Sequence, residues 1–173
     1  MLGVERNHVN LVEHDRDWYF EFLRTEKILK KILGQKILQI EHVGSTSIQG
    51  IVAKPIIDIA VVVRSLDNSD VVKLEKAGYE NCGDPMNIGK MLFVKREHGT
   101  ISTHHIGIYL PDNENFMGSI MFRDFLNAHE QERKTYEELK KELLYRYPDN
   151  RSSYTRAIPP IRVLKVSLLK KLF

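Results

Sequence analysis

Residues 40–59 read IEHVGSTSIQGIVAKPIIDI, and this stretch decides how the rest of the chain is read. Its first residues close an alternating run that begins at Lys36. Leu38, Ile40 and His42 share one face, and Ile37, Gln39, Glu41 and Val43 share the other, which is the period of a strand. Gly44-Ser45-Thr46-Ser47 is a turn by composition. Pro55 opens a second run, Ile56 to Val63. There Asp58 lies on the face of Ile56, Ala60 and Val62, while Ile57, Ile59, Val61 and Val63 make the other face wholly apolar. A strand apolar on nearly both faces belongs in the middle of its sheet.

Upstream, Trp18, Phe22, Leu29 and Leu33 fall near helical spacing over Asp15–Leu33, with Asp15 as a candidate N-cap and Gly34 at the C-terminal cap. Downstream, a short helix is expected over Asp70–Ala77, closed by Gly78. The loop GDPMNIGK is mobile by composition. Met91–Glu97 and Ile101–Leu110 read as a hairpin around His98-Gly99-Thr100. Helices follow over Phe116–His129 and Glu130–Tyr147, the second with Tyr136, Leu139, Leu143 and Tyr147 inward. A last one starts at Pro159-Pro160, since neither proline fits a helix interior, with Ile161, Leu164, Leu168 and Leu172 inward. The order predicts an α+β fold, a mixed β-sheet with helices packed mainly on one side. The 173 residues suit one domain spanning 1–173.

Apolar residues make up 42% and charged residues 28%, which excludes a disordered chain. One cysteine, Cys82, permits neither an internal disulfide nor a cysteine metal cluster. A reducing, cytoplasmic setting is expected. No stretch resembles a signal peptide or a membrane span. The net charge of +3 is too small to argue for a nucleic-acid partner. Its distribution is uneven: Arg151–Phe173 carries six basic residues and no acid, so residues 1–150 sum to −3. A basic helix docked on an acidic body is the plain explanation; a share in phosphate binding is the functional one.

The densest polar cluster is Glu41–Ser47 followed by Lys54–Asp58. A Gly-Ser turn at a strand end lets backbone N–H groups and hydroxyls approach a phosphate closely. Gly44, Ser45 and Thr46 are the candidate phosphate cradle, and Lys54 the cation beside it. There is no GKS or GKT, so this is not a Walker A loop. His104 and His105 point to opposite sides of their strand. Arg96, near a strand end, is a second candidate phosphate ligand. Adjacent on a helix, Arg123 and Asp124 should diverge. An ion pair fixing that helix to the sheet is the first reading of Arg123, and ligand binding the second.

The quoted stretch, with THHIGIY, FRDFLNAH and YTRA downstream, resembles the GrpB family over nearly the whole chain and in the same order. The resemblance implies a nucleotidyltransferase-like fold, and GrpB-like domains also occur fused to dephospho-CoA kinases. It further implies that His105 faces the pocket; His42, by its place beside the GST turn at a strand end, is expected to converge there with Asp58 and His105. Nucleotidyltransferases hold Mg²⁺ with two or three carboxylates, usually through an Asp-x-Asp pattern. Here Asp58 is followed by Ile59 and Ala60. The histidine strand has Gly107 where the family often repeats His, Ala157-Ile158 replaces the usual Ala-Lys, and Ile48-Gln49 the usual Val-Pro.

The expected function is therefore binding of a small molecule, nucleotide or other phosphate ligand, or nucleotidyl transfer through a degenerate metal site. Asp58 and His105 are the catalytic candidates. His42, Gly44, Ser45, Thr46, Lys54, Arg96 and Arg123 are the ligand-binding ones. Asp58 is also the expected contact for a divalent metal, Mg²⁺ or Mn²⁺. A non-catalytic ligand- or protein-binding module of the same fold is the alternative, and a metal-dependent hydrolase using Asp58 and histidines is third. Substrate and oligomeric state stay open.

Overall fold

The computed structural model describes residues 2–158. Its elements are β1 (Val4–Glu5), α1 (Asp17–Leu33), β2 (Ile37–Val43), β3 (Ile57–Val63), α2 (Asn68–Lys76), β4 (Tyr79–Asn81), β5 (Lys90–Glu97), β6 (Ile101–Tyr109), α3 (Glu114–Ala128), α4 (Glu130–Arg146) and α5 (Arg151–Ala157). The strands form one six-stranded sheet in the order β2-β3-β6-β5-β4, with β1 added beside the start of β6. β3 and β6 are parallel and the other pairs antiparallel, so the sheet is mixed. The fold is α+β, as the element order predicted.

β3 lies between β2 and β6 because both its faces can be covered. Its wholly apolar face, Ile57, Ile59, Val61 and Val63, packs under Trp18, Phe22, Leu29 and Leu33 of α1. Each such side chain is at most 7% exposed, and burial of each is worth roughly 1.5–3 kcal/mol. That is the larger core, and α2 joins it through Leu74. On the opposite face, Val43, Ala60, Val62 and Tyr109 meet Phe116 of α3. The helices are thus less one-sided than expected, with α3 closing part of the second face. A third cluster, Ile48, Ile51, Leu126 and Tyr136, ties α3 and α4 to the segment after the GST turn.

Several local expectations shift. α1 begins at Asp17, and the Asp15 carboxylate accepts its N–H at 2.9 Å. α2 starts two residues early because Asp67 and Asp70 form a reciprocal capping box. The loop over 83–90 has an internal anchor: Asp84 accepts the N–H groups of Ile88, Gly89 and Lys90. Strands β1 and β4 and helix α5 were not expected. The helix expected from Pro159 lies outside the described residues.

Candidate functional site

Asp58 stands directly beside His105 in the parallel β3–β6 pair, and beside Val43 in the antiparallel β2–β3 pair. Neighbours across a ladder share a sheet face, so Asp58 and His105 point the same way. The ring Nδ1 of His105 is 3.0 Å from Asp58 Oδ1, and its Nε2 is 3.4 Å from Nη2 of Arg151, at the start of α5. A guanidinium can only donate. Arg151 therefore donates in that contact, and Nδ1 donates to Asp58. Burial pushes the Asp58 carboxyl up. The hydrogen bond from His105 and the nearby charges of His105, Lys54 and Lys90 outweigh that and hold it below its ordinary value.

The turn comes within contact of this carboxylate. Gly44 has φ 72° and ψ −173°, a conformation essentially restricted to glycine. A Cβ there would lie 2.3 Å from Asp58 Oδ2. The N–H groups of Ser47 and Ile48 bond back to the carbonyls of Gly44 and Ser45, and the Ser45 hydroxyl sits 3.3 Å from the Tyr136 hydroxyl.

Asp58, His105 and Ser45 open onto one cleft of about 310 Å³, whose other polar walls are Lys54, Lys140, Arg151, Tyr154 and Thr155. That is the lower end of the size range for small-molecule sites. Lys54 Nζ lies 5.0 Å from the centre of the Tyr154 ring, and burial lowers its pKa to about 8, with Arg151 adding to the effect and Asp58 opposing it. Lys140 is 1% exposed. It donates to the Val52 carbonyl and lies over the Tyr136 ring. Burial lowers its pKa to about 7, against the pull of Glu137. The Tyr154 hydroxyl is buried with no hydrogen-bond partner among the described residues. Among the described residues, Asp58 is the one carboxylate lining the cleft.

The expected residues therefore divide. Asp58, His105, Ser45 and Lys54 line the cleft, and Gly44 packs against Asp58. His42 pairs with Ile59 and so points to the other sheet face, where its ring stacks on Phe22 at 5.1 Å. The Thr46 hydroxyl donates to the Ile56 carbonyl and so accepts from His42 Nε2, 3.0 Å away. Burial, despite Asp58, brings the His42 pKa to about 4. His42 is a neutral structural group and does not converge with Asp58 and His105 as expected. Arg96 is held by Glu80 of β4. Arg123 binds Glu41 and the His42 carbonyl at 2.7 and 2.8 Å, fixing α3 to β2. It also bonds Asp124 at 2.7 Å, so the two do not diverge.

A divalent metal at Asp58 is the sequence expectation, and the donors beside Asp58 decide whether one fits. Ala60 is the next residue on its face, and Gly107 pairs with Ala60; neither has a donor. Both His105 nitrogens are engaged. Among the described residues no three His, Cys, Asp or Glu side chains gather in a way that could hold a metal. This donor set does not fit a divalent cation.

Sequence reasoning missed Lys140 and Tyr154, and reached Arg151 only as one of the six basic residues of 151–173. Lys140 had a signal: positions 136, 140, 143 and 147 form one helical stripe, and a lysine inside an otherwise apolar stripe is a buried cation. Tyr154 lay in the YTRA motif without a role.

The GrpB family model, described as GrpB protein, matches residues 8–161. The chain is 38% identical over 160 residues to Glutamate-rich protein GrpB of Alkalihalophilus pseudofirmus, covering 90% of this chain and 92% of that one. The crystal structure of conserved protein GrpB from Enterococcus faecalis superposes with a TM-score of 0.83 at 31% identity, over 94% of this chain and 99% of that one. Cid1 in complex with its short product ApU shares the fold, with a TM-score of 0.54 at 12% identity, over 84% of this chain and 48% of that one. Among the described residues no helix is long and apolar enough to cross a membrane.

Proposed function

The chain belongs to the GrpB family, and from that premise and the geometry of the cleft we propose that it binds a small molecule carrying phosphate, a nucleotide first among the candidates. The observation that carries this reading is the charge of the walls. Lys54, Lys140 and Arg151 surround a cleft that, among the described residues, contains a single carboxylate, already held by His105. Buried cations are costly unless an anion meets them. A phosphate would accept from all three and from the Tyr154 hydroxyl, which is unpartnered among the described residues.

Nucleotidyl transfer is the finer reading. Its support is the fold shared with Cid1. Asp58 weighs against it, because a carboxylate held below its usual range is a weak base near neutral pH. Release of pyrophosphate from nucleoside triphosphates is expected to be slow or undetectable across a panel of hydroxyl acceptors. Robust turnover in Mg²⁺, lost in Asp58→Ala, would restore the transferase reading. The binding reading is tested by thermal shift with nucleotides, CoA precursors and aminoglycosides, each with and without Mg²⁺ or Mn²⁺. A ligand that binds the folded state raises the melting temperature. The expected result is a rise with phosphorylated compounds; no rise with any of them contradicts it.

A further inference from the structure

We infer that this cleft holds its anion without a divalent metal, its own lysines and arginine supplying the positive charge that a carboxylate-bound cation supplies in a metal-dependent site. The inference rests on the phosphate-binding reading and adds how the charge is met.

Three arrangements carry it. First, the positions beside Asp58 that could complete a metal site are the paired residues Ala60 and Gly107, which carry no donor. Second, the space over Gly107 is filled by a cation-bearing chain. A Cβ on Gly107 would lie 2.9 Å from Lys90 Cδ and 3.2 Å from Lys90 Cγ, so glycine is what lets Lys90 cross the sheet face. The charge of Lys90 is felt at Asp58. A lysine therefore runs across the place where a further ligand would stand, and its ammonium would repel a metal ion there. Third, Lys54 and Lys140 have no carboxylate within ion-pair distance among the described residues, and residues 159–173 contain no Asp or Glu. Their side chains keep their charge available for a ligand. Burial lowers the pKa of both, to about 8 and about 7, with a neighbouring cation adding to each, and a bound anion would raise them again.

The two mechanisms predict opposite responses to Mg²⁺. A metal-dependent site needs it to bind pyrophosphate. A lysine-lined site must compete with it, because Mg²⁺ complexes pyrophosphate in solution. The experiment is calorimetric titration of inorganic pyrophosphate into the full chain, in EDTA and in excess Mg²⁺ or Mn²⁺. Binding is expected in EDTA and weaker in Mg²⁺. In EDTA, Lys90→Ala should lower affinity a few-fold, the loss of one positive charge near Asp58 and not of a direct contact, while Lys90→Arg retains it. Lys90 is part-exposed at the start of β5, so melting should be unchanged in both variants. Binding that is absent in EDTA and appears with metal overturns this inference and leaves the phosphate-binding reading standing. Equal affinity in Lys90→Ala removes Lys90 from the account. No binding in any condition overturns both readings.

Discussion

A methyl group on Gly44 would sit 2.3 Å from the Asp58 carboxylate. The glycine is therefore required twice, once by its backbone conformation and once by the side chain that packs on it. Gly44→Ala is expected to cost of order 3 kcal/mol in denaturant unfolding, from forcing a side chain into a glycine-only region, and to displace Asp58 from His105. Crystallography of the variant, or a cost below about 1 kcal/mol, would reveal a turn that adapts without disturbing the site.

Tyr154 separates stability from binding. Its ring supports Lys54 and its hydroxyl is buried and unpartnered among the described residues. Tyr154→Phe keeps the ring and removes an atom the ligand-free fold does not use, so stability should change by less than about 1 kcal/mol. Affinity for a phosphorylated ligand should fall roughly five-fold, one ordinary hydrogen bond. A marked loss of stability with unchanged affinity would assign the hydroxyl to the fold.

Lys54 and Lys140 set the pH dependence. Both have folded-state values below the unfolded one, about 8 and about 7. Between these values and 10.5 the folded state carries fewer protons than the unfolded state, so ligand-free stability is greatest above 10.5 and falls with pH until the loss is complete below about 8 for Lys54 and about 7 for Lys140. Anion binding runs the other way and strengthens as the lysines protonate. Sulfate, whose charge is constant in this range, should bind more tightly at pH 7 than at pH 9 and take up protons at about pH 8. Calorimetry in buffers of different ionisation enthalpy reads that uptake. Affinity that is flat or rises with pH would show that these lysines do not face the ligand.

Alternation along one strand made β3 central and put Asp58 among apolar residues. It could not say whether His42 and Asp58 share a face, because that depends on how β2 pairs with β3. The antiparallel register sets Val43, not His42, opposite Asp58. β1 and β4 have two and three residues, too few for any period to show. Lys140 was passed over because a charge on a helix is usually solvated; here its stem lies along the inner stripe of α4. The GST turn and Lys54 were legible because a turn composition and a lysine beside a strand carry their meaning locally, whereas His105 was placed by the resemblance to the GrpB family. Arg151 reaches the cleft only through the packing of α5, which no local pattern encodes.

The central claim is that Ser45, Lys54 and their neighbours hold a phosphate, and one measurement addresses it most directly. A nucleoside triphosphate that raises the melting temperature would be titrated by calorimetry into the native protein and into the Ser45→Ala, Lys54→Ala double variant. Ser45 is partly exposed and Lys54 pairs with no carboxylate among the described residues, so the variant should melt normally. The account predicts at least about a hundred-fold loss of affinity, one charged and one neutral contact together. Equal affinity in a normally melting double variant would contradict it, and would place the ligand outside this cleft.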